Sequence, residues 1–162
     1  MSQLPWLPKY SGETTDELVV MEQTFRTDSV VAAFEKALHQ KSYRIGGFGS
    51  LTKEERVVLA VEALEREVNN GGYHQYLRNT SDELIADVVG ALHCIRRSDL
   101  AMLTQRAIDA VADDGETKKD LLSPDRVAAL SRCDSDYFRV AGDLAEPLFK
   151  FIKQARAHIV LP

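Results

Sequence analysis

The residues best suited to binding lie together in residues 69–79, with the sequence NNGGYHQYLRN. Amide, guanidinium and phenol groups in one segment can orient a ligand by hydrogen bonds, and tyrosine rings can anchor an interface. In a structural interpretation, the glycines end one helix and the tyrosines bury one face of the next. Neither interpretation dictates a reaction. The candidate binding set is Asn70, Gly71, Gly72, Tyr73, Gln75, Tyr76 and Asn79.

The histidines and cysteines form no recognisable catalytic or metal-binding pattern. No two of the four histidines have the i, i+3 or i, i+4 spacing that places two ligands on one helix face. Cys94 and Cys133 are far apart and outside any Cys-x-x-Cys pair, so we expect free, buried thiols in a reducing cytoplasm. We therefore predict a protein without catalytic residues, metal or cofactor.

The composition predicts an ordinary globular protein. The chain has 162 residues, 44% hydrophobic and 28% charged, which fits a single domain with its own core. No apolar run could span a bilayer, and the N-terminus lacks a secretory signal, so we expect a cytoplasmic protein. The net charge is −5 and no uniform basic patch is present, which argues against direct binding of nucleic acid.

Apolar residues recur at helical spacing along most of the chain, and strand-like alternation is not evident. We predict an all-α fold, a single compact domain of about six to eight helices over residues 15–162. Residues 1–14 form an N-terminal arm in which Trp6 lies between Pro5 and Pro8. We expect this tryptophan to dock on its own core or on a partner subunit, and the second arrangement would make a homodimer.

The clearest helix begins after Thr52, because Thr52 and Glu55 have the spacing of a capping box. An apolar stripe that only a helix can bury follows at Val57, Val61, Leu64 and Val68. The glutamates of this helix are spread around it, so we expect most of them to face water. They are Glu54, Glu55, Glu62, Glu65 and Glu67.

Two further signals organise the C-terminal part. Ser123 followed by Pro124 predicts a helix start, with serine as the cap and proline at the first helical position. A last long helix is predicted from near Asp134 to about Ala157, and Pro147 should kink or split it near Glu146.

Two segments resemble the hallmark of a family of bacterial proteins of unknown function that includes a DNA-mimic protein. The first comprises Leu51–Arg56 and Ala63–Tyr76 with Asn79, that is, a glutamate-rich helix followed by Asn-Gly-Gly, an aromatic, glutamine and a second aromatic. The second runs from Cys133 to Leu144, with paired acids before two aromatics. The resemblance covers roughly residues 50 to 153. It implies an all-α cytoplasmic protein without known catalysis.

The resemblance also raises DNA mimicry, in which carboxylates arranged like phosphates occupy a DNA-binding protein. Duplex DNA carries one negative charge per about 1.7 Å of axis, whereas this chain has 25 acids and 20 bases, so only a polarised surface could mimic it. Lys118 and Lys119 lie in the middle of the most acidic stretch. The candidate acidic surface is Asp109, Asp113, Asp114, Glu116 and Asp120, together with Asp134 and Asp136.

Three hypotheses follow from these patterns. The leading one is a non-enzymatic protein–protein interaction domain, with DNA mimicry as its specific form and a basic DNA-binding protein as partner. The second is a small-molecule-binding protein or enzyme with a site at the Asn70–Asn79 corner. The third is a structural or oligomerisation module whose N-terminal arm crosses to another subunit.

Overall fold

The computed structural model describes residues 3–112 and 122–162, and every regular element in these ranges is helical. The prediction of an all-α single domain is confirmed. Seven α-helices lie in the described ranges, with 3₁₀ turns at Met21–Gln23, Phe48–Ser50 and Arg156–His158. The helices are α1 (Thr15–Val20), α2 (Thr27–Ile45), α3 (Lys53–Asn79), α4 (Asp82–Cys94), α5 (Ser98–Val111), α6 (Pro124–Val140) and α7 (Ala145–Ala155).

The starts of α3 and α6 follow from their capping residues. The Thr52 hydroxyl accepts the Glu55 amide at 3.1 Å, and the Glu55 carboxylate accepts the Thr52 amide at 3.0 Å, so the predicted capping box is present. Ser123 caps α6 through its hydroxyl, and Pro124 lies in the first turn, where no amide donor is needed.

Helix α3 is the centre of the fold and packs against α2, α4, α6 and α7. The predicted stripe is buried, but burial extends around most of the helix to Val58, Leu59 and Ala60. A helix that is apolar on nearly all sides belongs in the interior rather than on a surface. The other helices therefore form a shell around α3 and take their positions from it.

The N-terminal arm docks on its own chain. Leu7 and Tyr10 are buried, the Leu7 amide donates to Ser29 Oγ at 3.0 Å, and the Tyr10 hydroxyl donates to the Pro162 carbonyl at 3.1 Å. Trp6 stays 52% exposed, with the Arg26 guanidinium 5.4 Å from its ring centre. The arm is therefore attached to the core by Leu7 and Tyr10 rather than by the Trp6 ring.

Glu55 does not face water as expected for the glutamates of α3, because its carboxylate is completely buried. It accepts Lys41 Nζ at 2.7 Å and the Val160 amide at 2.9 Å, in addition to the Thr52 amide. One carboxylate thus joins the start of α3 to α2 and to the C-terminal segment. A buried charge is tolerated only with such a complete set of donors.

The predicted last helix is split, as expected, but the break lies between Val140 and Ala145 rather than at Glu146. Helix α6 already contains Asp134 and ends at Val140, and α7 begins at Ala145. The chain turns between them at Gly142, which has a left-handed φ of 59°. Pro147 does not break a helix, because it lies in the first turn of α7, where its missing amide costs nothing.

None of the helices in the described residues is long and apolar enough to cross a membrane.

Replacing Glu55 with alanine should lower the free energy of unfolding by about 3 kcal/mol, because Lys41 and two backbone amides lose their shared acceptor. Urea denaturation followed by circular dichroism measures the change. Glu54→Ala is the matched control, since Glu54 is more exposed and lies in the same helical turn; it should change stability by less than about 1 kcal/mol. Equal losses for the two variants would contradict the role assigned to Glu55.

Candidate functional site

The Asn-Gly-Gly corner is a kink inside α3. Gly71 and Gly72 are the non-helical residues of this helix, and helical geometry resumes at Tyr73. Gly72 has φ 75° and ψ −175°, a conformation that is accessible mainly to glycine. The helix therefore ends and restarts within two residues, as the paired glycines predict.

Asp134 of α6 occupies the space beside Gly72. A Cβ on Gly72 would lie 2.5 Å from Asp134 Oδ2, and Asp134 Oδ1 accepts the Tyr73 amide at 2.7 Å. The carboxylate thus caps the second half of α3 from a helix that is distant in sequence, and its negative charge faces the positive end of that helical segment. Asp134 is therefore engaged in structure, although the sequence suggested it for an acidic surface.

The motif tyrosines are core residues. Tyr73, Tyr76 and Tyr137 are almost completely buried, and Tyr73 makes edge-to-face contacts with the other two at centroid distances of 6.4 and 5.9 Å. The Tyr73 hydroxyl shares a hydrogen bond of 2.9 Å with Thr104 Oγ1. Burial raises the pKa of all three phenols, so they remain neutral.

The motif amides bridge the kink. Gln75 Nε2 and Asn79 Nδ2 both donate to Glu67 Oε2 at 3.0 Å, and Glu67 lies on the other side of the two glycines. The hydrogen bond from Gln75, with that from Asn79, lowers the pKa of Glu67, so the acceptor stays ionised. Asn70 is exposed at the end of the first half of α3.

The cavities lie elsewhere. Five well-defined cavities in residues 3–112 and 122–162 have volumes of 220–460 Å³, and none of these five is lined by a residue of the motif. Within residues 3–112 and 122–162, no group of three or more His, Cys, Asp or Glu side chains could hold a metal ion.

The predicted acidic surface is described only in part. Asp113, Asp114, Glu116 and Asp120 lie outside the described residues. Asp109 is exposed on α5 and accepts Gln105 Nε2 at 2.7 Å. Asp136 pairs with Arg106 and Arg139, and the hydrogen bond from Arg106 is the main cause of its lowered pKa.

A second carboxylate group brings together Glu35, Glu62, Glu65 and Asp143 from α2, α3 and the α6–α7 turn. Burial, with repulsion from Glu35 and Glu65, raises the pKa of Glu62 to about 8. Burial also raises the pKa of Glu65, against a hydrogen bond from the Leu144 backbone. The expectation that most glutamates of α3 face water is therefore wrong for Glu62 and Glu65, which are partly buried. Their i, i+3 spacing places Glu62 and Glu65 on one side of α3, but the acids that meet them come from distant segments.

The expectation for the cysteines is half confirmed. Cys133 is buried, whereas Cys94 is exposed at the end of α4. Cys94 lies between the buried Leu92 and Ile95 in sequence, but His93 and Cys94 are both exposed where the helix ends.

Replacing Gly72 with alanine should destabilise the protein by about 3 kcal/mol, because the new Cβ requires a strained φ and displaces the carboxylate that caps Tyr73. Thermal and urea unfolding measure the loss. Gly90→Ala is the control: a Cβ there meets nothing within 4 Å inside a regular helix, so it should stabilise by about 0.5 kcal/mol. A neutral Gly72→Ala variant would contradict the close packing of Asp134.

Glu62 should make stability fall as pH rises. Its carboxyl has an ordinary pKa of 4.5 when exposed and about 8 in the fold. Between these values the unfolded chain releases the proton while the folded chain keeps it, so the folded state loses stability until about pH 8. Glu62→Gln removes the ionisable group and therefore this loss of stability. The free energy of unfolding of the variant should exceed that of the parent protein by near zero at about pH 4 and by about 3 kcal/mol at about pH 8.5.

Urea titrations across this pH range measure the difference. The exposed Glu83→Gln on α4 is the control for removing a carboxylate from the surface. A pH-independent effect of Glu62→Gln would contradict the buried position of this carboxyl.

Comparison with known proteins supplies the family. Residues 49–155 match the family model described as DMP19-like protein, a family of the DNA-mimic type. The matched range runs from the turn before α3 to the last residue of α7, and therefore includes both the glycine kink and the Asp134 cap. No curated protein and no solved structure matches the chain. This protein belongs to the DMP19-like family.

Proposed function

We propose that this protein is a non-enzymatic protein-interaction domain that occupies a basic DNA-binding protein by presenting carboxylates in place of DNA phosphates. The observation that carries the proposal is the DMP19-like match over residues 49–155. A protein that mimics DNA needs exposed, ionised carboxylates that are held at fixed positions, because cations of the partner are spaced to meet phosphates.

The geometry of the glycine corner favours an interaction domain over a ligand site at Asn70–Asn79. Tyr73 and Tyr76 are fully buried, and Gln75 and Asn79 are both engaged by Glu67. The amide side chains are hydrogen-bonded to Glu67, and the tyrosine rings are packed in the core. They support the surfaces of the molecule rather than offer a pocket.

The face formed by α5 and α6 is the most suitable surface for mimicry. Asp109 is exposed on α5, and Asp136 lies on the helix packed against it. The pairing of Asp136 with Arg106 and Arg139 is solvent-accessible, so a partner's arginines can compete for it at small cost. The buried group around Glu62 is less suitable, because a protonated carboxyl does not imitate a phosphate.

Two other assignments stay predictions. Asp113, Asp114, Glu116 and Asp120 continue the chain directly after α5, and we include them in the proposed surface from their sequence positions. Self-association through the N-terminal arm is compatible with the half-exposed Trp6, although Leu7 and Tyr10 attach the arm to its own chain.

The test is capture of a partner from a bacterial lysate on the immobilised protein, followed by elution with duplex DNA. We expect a basic DNA-binding protein to be retained at about 0.05 M salt, and to be released by duplex DNA or by about 0.3 M salt. Changing Asp109 and Asp136 together to asparagine should weaken binding about fivefold, because two phosphate-like charges are removed.

Glu54→Gln with Glu83→Gln is the matched control, since it removes two charges from other helices and should leave binding nearly unchanged. Retention that is insensitive to salt, or a ternary complex with duplex DNA, would contradict DNA mimicry while leaving a general interaction role intact.

A further inference from the structure

Two neighbouring cavities form a depression on the side of the molecule where α4 ends. The first has a volume of about 400 Å³ between α3 and α4, and the second of about 220 Å³ between the end of α4 and α7. Both are lined by the exposed Cys94, which places them side by side. We call this depression the basic groove, after its lining residues Lys53, Arg56, Arg96, Arg97 and Lys150.

The basic groove has a surplus of positive charge. Asp87 is the carboxylate among its lining residues, and it is already paired with Arg56 at 2.6 Å. Arg97 pairs with Asp99 and donates to the Val140 and Ala141 carbonyls. By contrast, Lys53, Arg96 and Lys150 have no ion-pair partner among the described residues. Three cations are thus available in a chain whose net charge is −5.

Arg96 is held in an unfavourable backbone conformation. With φ 61° it is the non-glycine residue with positive φ in residues 3–112 and 122–162. It occupies the position after α4 where the Arg96 amide donates to the His93 carbonyl at 3.0 Å and the Arg97 amide to Leu92 at 2.8 Å. Glycine suits this helix end better, because a side chain in the left-handed region is strained. The backbone conformation therefore does not favour an arginine at this position. The exposed Arg96 side chain lies beside the groove, and this position suggests a binding role for it.

We propose that the basic groove binds a short acidic segment of a partner protein. Carboxylates of the segment would meet Arg96, Lys150 and Lys53, and its apolar side chains would lie against Phe151 and Val57. A protein segment suits the groove better than nucleic acid, because the walls combine apolar residues such as Phe151 with the cations. The negative charge of the rest of the molecule also repels a long polyanion, but it is screened from a short segment beyond about 8–10 Å.

This groove is independent of the proposed mimicry. The proposed mimicry would place the cations of a partner on Asp109 and Asp136, whereas the groove would bind anions, and the two share no residue. Either one can fail without the other.

The test is fluorescence anisotropy with a short labelled peptide in which glutamate and leucine alternate. A glutamine–leucine peptide and a single-stranded oligonucleotide of equal length are the comparison ligands. We expect the acidic peptide to bind at least about tenfold more tightly than either, and its affinity to fall with salt.

The informative variant is Arg96→Gly, because it removes the cation and relieves the backbone at the same time. We expect about fivefold weaker peptide binding with a melting temperature that is unchanged or higher. Lys150→Gln should weaken binding by about threefold through charge alone. Arg44→Gln is the control, since Arg44 is exposed at the end of α2 and outside the groove.

Parent-like affinity of both Arg96→Gly and Lys150→Gln would overturn the proposal. So would an equal loss in Arg44→Gln, the absence of binding to the acidic peptide, or tighter binding of the oligonucleotide.

Discussion

The carboxylate of Asp134 at the side of Gly72 is the contact on which the arrangement of the helices depends. Helix α3 forms the centre of the core, and it changes direction where Gly71 and Gly72 leave the helical conformation. The restarted segment needs an acceptor for the Tyr73 amide, and Asp134 supplies it from α6 at 2.7 Å. Gly72 has no Cβ, so the Asp134 carboxylate and with it α6 can approach the kink closely. The tyrosine cluster of Tyr73, Tyr76 and Tyr137 fills the interior that this approach creates.

The same contact explains why two distant segments identify the family together. The Asn-Gly-Gly motif and the Cys133–Leu144 segment are separate in sequence, but they form the two sides of one joint. Their residue types are those that the joint requires: a glycine without Cβ, an acid as a remote cap, and aromatic rings that pack edge to face. The signature therefore describes how the domain folds. Of the charges in the proposed interaction surface that are not used in this joint, the signature contains Asp136 alone.

Much of the fold could be predicted from the sequence, because its strongest signals are local. The capping box of Thr52 and Glu55 and the serine–proline start of α6 involve residues one to three positions apart, so their spacing is visible in the sequence. Contacts between distant segments were missed. The sequence around Glu55 does not predict its contacts with Lys41 and the Val160 amide. Likewise, the sequence around Glu62 does not predict that Glu35 and Asp143 lie close to it. The prediction that Cys94 is buried was wrong for a related reason, because its exposure depends on where α4 ends.

Net charge is a poor guide to what this molecule attracts, because unpaired cations lie together at the end of α4 in a chain whose net charge is negative. The formal total of −5 counts Glu62 as ionised, although its pKa of about 8 keeps it mostly protonated at neutral pH. It also counts in full the charge of paired groups such as Asp136. It also includes unpaired cations around Arg96, whose field extends only about 8–10 Å at physiological ionic strength. Beyond that distance each face acts separately. The two proposals, a basic partner on α5 and α6 and an acidic segment at the end of α4, are therefore compatible with each other. Since the two faces share the rigid core around α3, occupation of one need not disturb the other.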